Sequence, residues 1–219
     1  MSDKLLQELE GKKISKEELL RKVRQDFNLL PEILRGIDSS NATVRYGCAK
    51  ILMNLSEEHP EKLYPHMNYF ISLLDSRYRI LTWNAMVIIA NLTRIDTDKK
   101  FDSIFEKYYS FINDEYMVTV ANVIGNSGKI ALAKPYLVDE ITNRLLSVED
   151  ISTTPHLTEE CKMVIVEKTI QSFDVFFDKI EHKENVISFV AKYVNSPRRT
   201  LRRTAENFLK KVSGAAAGI

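Results

Sequence analysis

The segment Val44–Ser56, VRYGCAKILMNLS, returns along the chain, and a returning segment constrains a fold more tightly than any local propensity does. Read as a helix, it places Val44, Cys48, Ile51, Leu52 and Leu55 on one side, at the three- and four-residue steps of a buried stripe. Leu81–Thr93 reads LTWNAMVIIANLT, and its Asn91 stands 37 residues after Asn54. Tyr116–Gly128 reads YMVTVANVIGNSG, and its Asn126 stands 35 residues after Asn91. Leu201–Ser213, LRRTAENFLKKVS, follows the same template with Lys211 at the asparagine's place. A period of about 36 residues is that of one helical hairpin, which cannot bury its apolar face alone. Such hairpins stack, each packing on its neighbours.

The stretches between the templates supply the first helices. Leu19, Leu20 and Val23 follow a capping box at Ser15–Glu18. Leu63, Met67, Phe70, Ile71 and Leu74 form the second stripe, and Phe101, Ile104, Phe105, Tyr108 and Ile112 the third. These helices end near Asp38, Asp75, Asp114, Asp150 and Asn195, polar residues placed to cap the helix that follows. Pro197 is expected as the first residue of the last helix. The expected fold class is all-α, a right-handed α-α superhelix of about five helical hairpins. Its bounds are a lead-in over 1–14, a repeat domain over 15–212 and a disordered tail over 213–219. Within the domain the repeats fall at 15–57, 58–95, 98–130, 134–180 and 181–212. No segment alternates with period two for long enough to make a strand.

Composition narrows the function. With 44% hydrophobic residues and only 7 Gly and 6 Pro, the chain has material for a core and is not disordered. Lys and Arg number 31 against 30 Asp and Glu, so overall charge gives nucleic-acid binding no support. The 2 cysteines, Cys48 and Cys161, show no paired spacing and read as reduced thiols. No apolar run reaches the ~20 residues of a membrane span. The charged N-terminus carries no evident signal peptide, so a cytoplasmic protein without membrane partners is expected.

The repeats resemble those of the HEAT and armadillo superfamily over about residues 15–212. Val44-Arg45 matches that superfamily's Val-Arg pair, Cys48-Ala49 its two small residues, and Leu52 and Leu55 its buried positions. Asn54 matches the asparagine of the concave ridge. The resemblance implies a solenoid, HEAT-like in its two-helix hairpins and armadillo-like in its inner helices. In armadillo peptide binders such as importin alpha, that asparagine holds an extended peptide's backbone, and a tryptophan one turn earlier forms side-chain pockets. Here the tryptophan's places hold Lys50, Val87 and Asn122, which argues against localisation-signal recognition in the importin manner.

Two candidate surfaces follow. The first is polar: Lys50, Asn54, Asn84, Asn91, Thr119, Asn122 and Asn126 lie on the inner helices with little apolar area among them. An amide donates and accepts, so a row of asparagines can border a peptide backbone as a strand would. Alternatively, the amides bond within the protein as a structural ladder. The second is basic: Arg198, Arg199, Arg202, Arg203, Lys210 and Lys211 on the last helix, fit for phosphates or acidic partners, or simply a soluble end cap. Gly125 and Gly128, around Asn126, suit close packing and a helix end rather than a phosphate loop. His59, His66, His156 and His182 lack metal-ligand spacing, and no nucleotide or nucleophile motif is present. No metal, cofactor or catalytic residue is expected. The reading is a non-enzymatic scaffold for another protein or an extended peptide. Nucleic-acid binding through the basic helix and an adaptor role in a larger enzyme complex are the rivals.

Overall fold

A computed structural model describes residues 4–216. They are helical and form two compact units, Met1–Ile104 and Phe105–Ile219.

The first unit holds α1 (Lys4–Glu10), α2 (Lys16–Gln25), α3 (Leu30–Gly36), α4 (Ala42–Glu58), α5 (Pro60–Leu63), α6 (Met67–Ser72) and α7 (Arg79–Leu92). The template segments are α4 and α7, and both are sheathed. Helices α2 and α3 pack on α4, α6 packs on α7, and α4 packs on α7. The core runs along this seam through Leu19, Val23, Ile33, Ile51, Leu52, Leu55, Met67, Phe70 and Ile89. The second unit holds α8 (Phe105–Ser110), α9 (Met117–Ala133), α10 (Val138–Leu146), α11 (Glu159–Phe176), α12 (Lys183–Ala191) and α13 (Arg199–Ala216). Here α9 packs on α11 and α11 on α13. Gly128 sets the closeness of the first pair, since a Cβ there would stand 2.9 Å from Val175 Cβ.

One turn recurs before the second helix of a hairpin. Ser39 Oγ accepts from Asn41 N (3.2 Å) and Ser76 Oγ from Tyr78 N (3.1 Å). Asp114 Oδ1 accepts from Tyr116 N (2.8 Å) and Ser196 Oγ from Arg198 N (3.3 Å). A short oxygen two residues upstream thus fixes the entry to each helix. Of the expected capping residues, Asp114 makes this turn ahead of the N-cap Tyr116; Asp38, Asp75 and Asn195 each stand one position before the serine that makes it; and α11 is capped by Thr158 in place of Asp150. Arg45 locks the first of these turns. Its Nη1 donates to Ser39 O (2.7 Å) and Ser40 O (3.2 Å), and its guanidinium lies 3.8 Å from the Tyr78 ring centroid.

Several expectations change. The lead-in is a packed helix: Leu9 is buried against Gly47, and Glu32 Oε1 accepts from Leu5 N (3.1 Å) at the start of α1. First helices are interrupted where two-helix hairpins are expected. The 3-10 turns Phe27–Leu29 and Tyr64–His66 separate α2 from α3 and α5 from α6. Pro65 lies inside the second turn, where its missing N–H rules out a continuous α-helix. Pro197 lies outside α13, whose first bond runs from Arg202 N to Arg198 O. That helix continues to Ala216 through alanines of high helix propensity, so it takes in part of the expected tail. The rest of the tail, 217–219, is outside the described residues.

Candidate binding surface

The helix caps give a register finer than the sequence period. The N-caps of α4, α7 and α9 are Asn41, Tyr78 and Tyr116, and their helical spans close at His59, Asp96 and Lys134, eighteen residues on in each case. Asn54 and Asn91 both stand thirteen residues past their N-cap. Asn126 stands ten past Tyr116, one turn earlier, and Lys129 holds register thirteen. The three-rung ladder is therefore two rungs, Asn54 and Asn91. A second pair lies at register six, where Asn84 on α7 and Asn122 on α9 correspond.

Registers two, six, nine, thirteen and sixteen share one side of these helices, at alternating steps of four and three, and in the first unit it is open except at Gly47, packed against Leu9, and at the buried Asn91. On α4 the stripe is Thr43, Gly47, Lys50, Asn54 and Glu57, and on α7 it is Ile80, Asn84, Val87, Asn91 and Arg94. The expected site residues divide along it. Lys50 is exposed, and Asn54 and Asn84 are half-buried, with no side-chain hydrogen bond for any of the three among the described residues. Asn91 is buried at 5% exposure, and its Nδ2 donates to Ser56 Oγ at 2.9 Å, tying α7 to α4. Ser56 in turn donates to Met53 O (2.7 Å). Asn122 Nδ2 bonds back to Val118 O (2.8 Å), and Asn126 Nδ2 to Asn122 O (2.8 Å). Thr119, at 1% exposure, is inside the core layer and off the surface. Of the seven polar candidates, Lys50, Asn54 and Asn84 are presented together in one unit. The others are turned inward, bonded to their own helix, or placed in the second unit.

The surface is also less polar than expected. Ile80 is 42% exposed and Val118 40%, both at register two, and Leu132 is 49% exposed at register sixteen. Ile80 and Leu132 lie just outside the repeated segments Leu81–Thr93 and Tyr116–Gly128. Gly125 has open space where a Cβ would stand, and Gly128 packs against Val175, so neither ends α9.

The basic helix is partly neutralised. Arg198 pairs with Glu160 and, at 3.1 Å, with Glu167 Oε2, and these bonds hold its pKa above the ordinary value. Lys211 Nζ donates to Asp174 Oδ1 (2.6 Å), which raises its pKa likewise. Arg202 Nη1 donates to Ser196 O (3.3 Å). Arg199, Arg203 and Lys210 are exposed without a partner among the described residues. Burial, with Glu32 secondary, pushes the Cys48 thiol up to about 12, and Cys161 Sγ accepts from Thr158 Oγ1 (3.3 Å). Among the described residues, no cluster of His, Cys, Asp or Glu is arranged to hold a metal ion. No described helix is long and apolar enough to cross a membrane.

No protein-family profile matches the sequence, and no curated protein is significantly similar to it. Solved structures match. A designed armadillo repeat protein, YIII(Dq)4CqI, aligns at 18% identity with a TM-score of 0.58, over 94% of this chain and 90% of that one. Another, YIII(Dq.V1)4CPAF in complex with the peptide (KR)4, aligns at 14% identity with a TM-score of 0.63, over 95% and 90%. An engineered protein, Northeast Structural Genomics Consortium target OR329, aligns at 12% identity with a TM-score of 0.54, over 97% and 89%. The fold is that of the armadillo and HEAT-like α-solenoids.

Proposed function

We propose that this chain is a non-enzymatic scaffold that takes an extended segment of another protein along the open stripe of α4 and α7. The observation that carries the reading is the pair Asn54 and Asn84, half-buried amides on adjacent helices with no side-chain hydrogen bond of their own. Such groups are costly to leave without partners once a ligand covers them, and a peptide backbone offers the donor and acceptor each requires. A protein of the same fold is known in complex with the peptide (KR)4, which makes the solenoid surface a workable peptide platform. The reading places the protein in the cytoplasm, with no cofactor.

The test is Asn54→Ala, measured for both affinity and stability. Removing one backbone contact weakens a bound peptide by about 1 kcal/mol and leaves the urea midpoint nearly unchanged. Lost stability with unaltered affinity would reject the reading.

Nucleic-acid binding through α13 is the second reading, and Arg199, Arg203 and Lys210 are what favours it. It is the weaker one, because Arg198 and Lys211 are already paired with carboxylates of α11. Salt-sensitive binding of an oligonucleotide, abolished by Arg199→Glu with Arg203→Glu, would establish it in place of the first.

A further inference from the structure

The stripe on α4 and α7 carries a charge that nothing in its unit answers. Lys50 is exposed at register nine of α4 and makes no ion pair or hydrogen bond among the described residues. Asn54 lies one turn beyond it on the same face. Val87 is half-buried at the same register of α7, with Asn84 one turn before it. The only acid on this stripe is Glu57, two turns from Lys50 along α4.

Helix α11 of the second unit treats the same registers differently. On α11, Glu160, Glu167 and Asp174 stand two, nine and sixteen residues past the N-cap Thr158. All three are paired, Glu160 and Glu167 with Arg198 just before α13 and Asp174 with Lys211 of α13. There the stripe is acidic and neutralised in place. On α4 and α7 it is cationic at its centre and open.

We infer that the segment received by α4 and α7 carries an Asp or Glu side chain, which Lys50 Nζ receives while the flanking residue rests on Val87. This rests on the peptide reading above and adds the chemistry of the ligand to it. The neighbouring open amides lower the cost of desolvating the carboxylate, because they can share its hydrogen bonds. A nucleic-acid strand needs a track of several cations. The stripe holds two cations, Lys50 and Arg94, and Arg94 Nη2 is engaged by Glu57 O, so Lys50 is the one with no partner among the described residues, too few charges for such a track and suited to a single carboxylate.

The experiment is selection of peptides from a fully randomised decapeptide display library on the immobilised full chain. Enriched sequences are then made as labelled peptides and titrated against wild type, Lys50→Glu, Lys50→Gln and Asn54→Ala. The expected result is enrichment of Asp or Glu at one position, with affinity about tenfold lower for Lys50→Glu. Replacing that acid by Gln should weaken binding to wild type and remove most of the further effect of the Lys50 variants, the mark of a direct pair. Enriched peptides without an acid, weakened by Asn54→Ala and indifferent to Lys50, would overturn the inference and leave the peptide surface standing. No enrichment, or binding indifferent to both positions, would overturn both. Binding of a labelled poly(dT) strand that is lost in Lys50→Glu would overturn the acidic-peptide assignment in favour of nucleic acid.

Discussion

Asparagines that look alike in the sequence do different work in the fold. Asn91 ties α7 to Ser56 of α4 in a buried seam, while Asn54, at the same register one repeat earlier, is half-buried with no side-chain bond. Asn91→Ala is therefore expected to lower stability by about 1–3 kcal/mol, since Ser56 loses a buried donor. Asn54→Ala should stay within about 0.5 kcal/mol of wild type. Urea unfolding of both variants checks the contrast, and equal losses would contradict it. Cys48 gives a pH dependence. Its thiol ionises near 9.0 when unfolded and is pushed up to about 12 by burial in the fold. The folded state holds the proton longer, so this contribution is complete below pH 9 and is lost as pH rises from there toward 12. Tyr108 and Tyr109, raised above the ordinary tyrosine value of 10.0 by burial, act in the same direction. The urea midpoint should fall steadily above pH 9, and a flat profile would refute this.

Among the elements, the entries to the second helices matter most. Arg45 joins the turn at Ser39–Ser40 to the start of α7 through two carbonyls and the Tyr78 ring. A lysine lacks the planar guanidinium that stacks on Tyr78 while its Nη1 serves both carbonyls, so Arg45→Lys should cost about 1–3 kcal/mol, read as a lower melting temperature. Gly128→Ala tests the α9–α11 seam. Its new methyl would press on Val175, at a cost of about 1–3 kcal/mol unless that half-exposed side chain yields. The helix stripes and their order were legible in the sequence, because a period of 3.6 within a period of about 36 leaves few alternatives. The turns were not. Ser39, Ser76 and Ser196 sit beside Asp38, Asp75 and Asn195, and composition alone cannot say which of two adjacent polar residues folds back. The breaks in the first helices were half legible, since Pro31, Pro65 and Pro135 were visible but the 3-10 turns joining the pieces were not.

Across the whole molecule, the repeat was readable and its register was not. The asparagines step by 37 and 35 residues, whereas the caps step by 37 and 38, from Asn41 to Tyr78 to Tyr116. The difference is one helical turn, enough to put Asn126 beneath the surface and Lys129 on it. A functional stripe is therefore best counted from where helices begin. The central claim is that the stripe of α4 and α7 is where another protein is held. Photo-crosslinking tests it most directly, with a benzophenone side chain placed in turn at Lys50, Val87, Glu61 and Asn68, using a peptide selected on the unmodified chain. The account predicts crosslinks from positions 50 and 87 and none from positions 61 and 68, which lie on the first-helix segments α5 and α6. Crosslinks confined to positions 61 and 68 would contradict it.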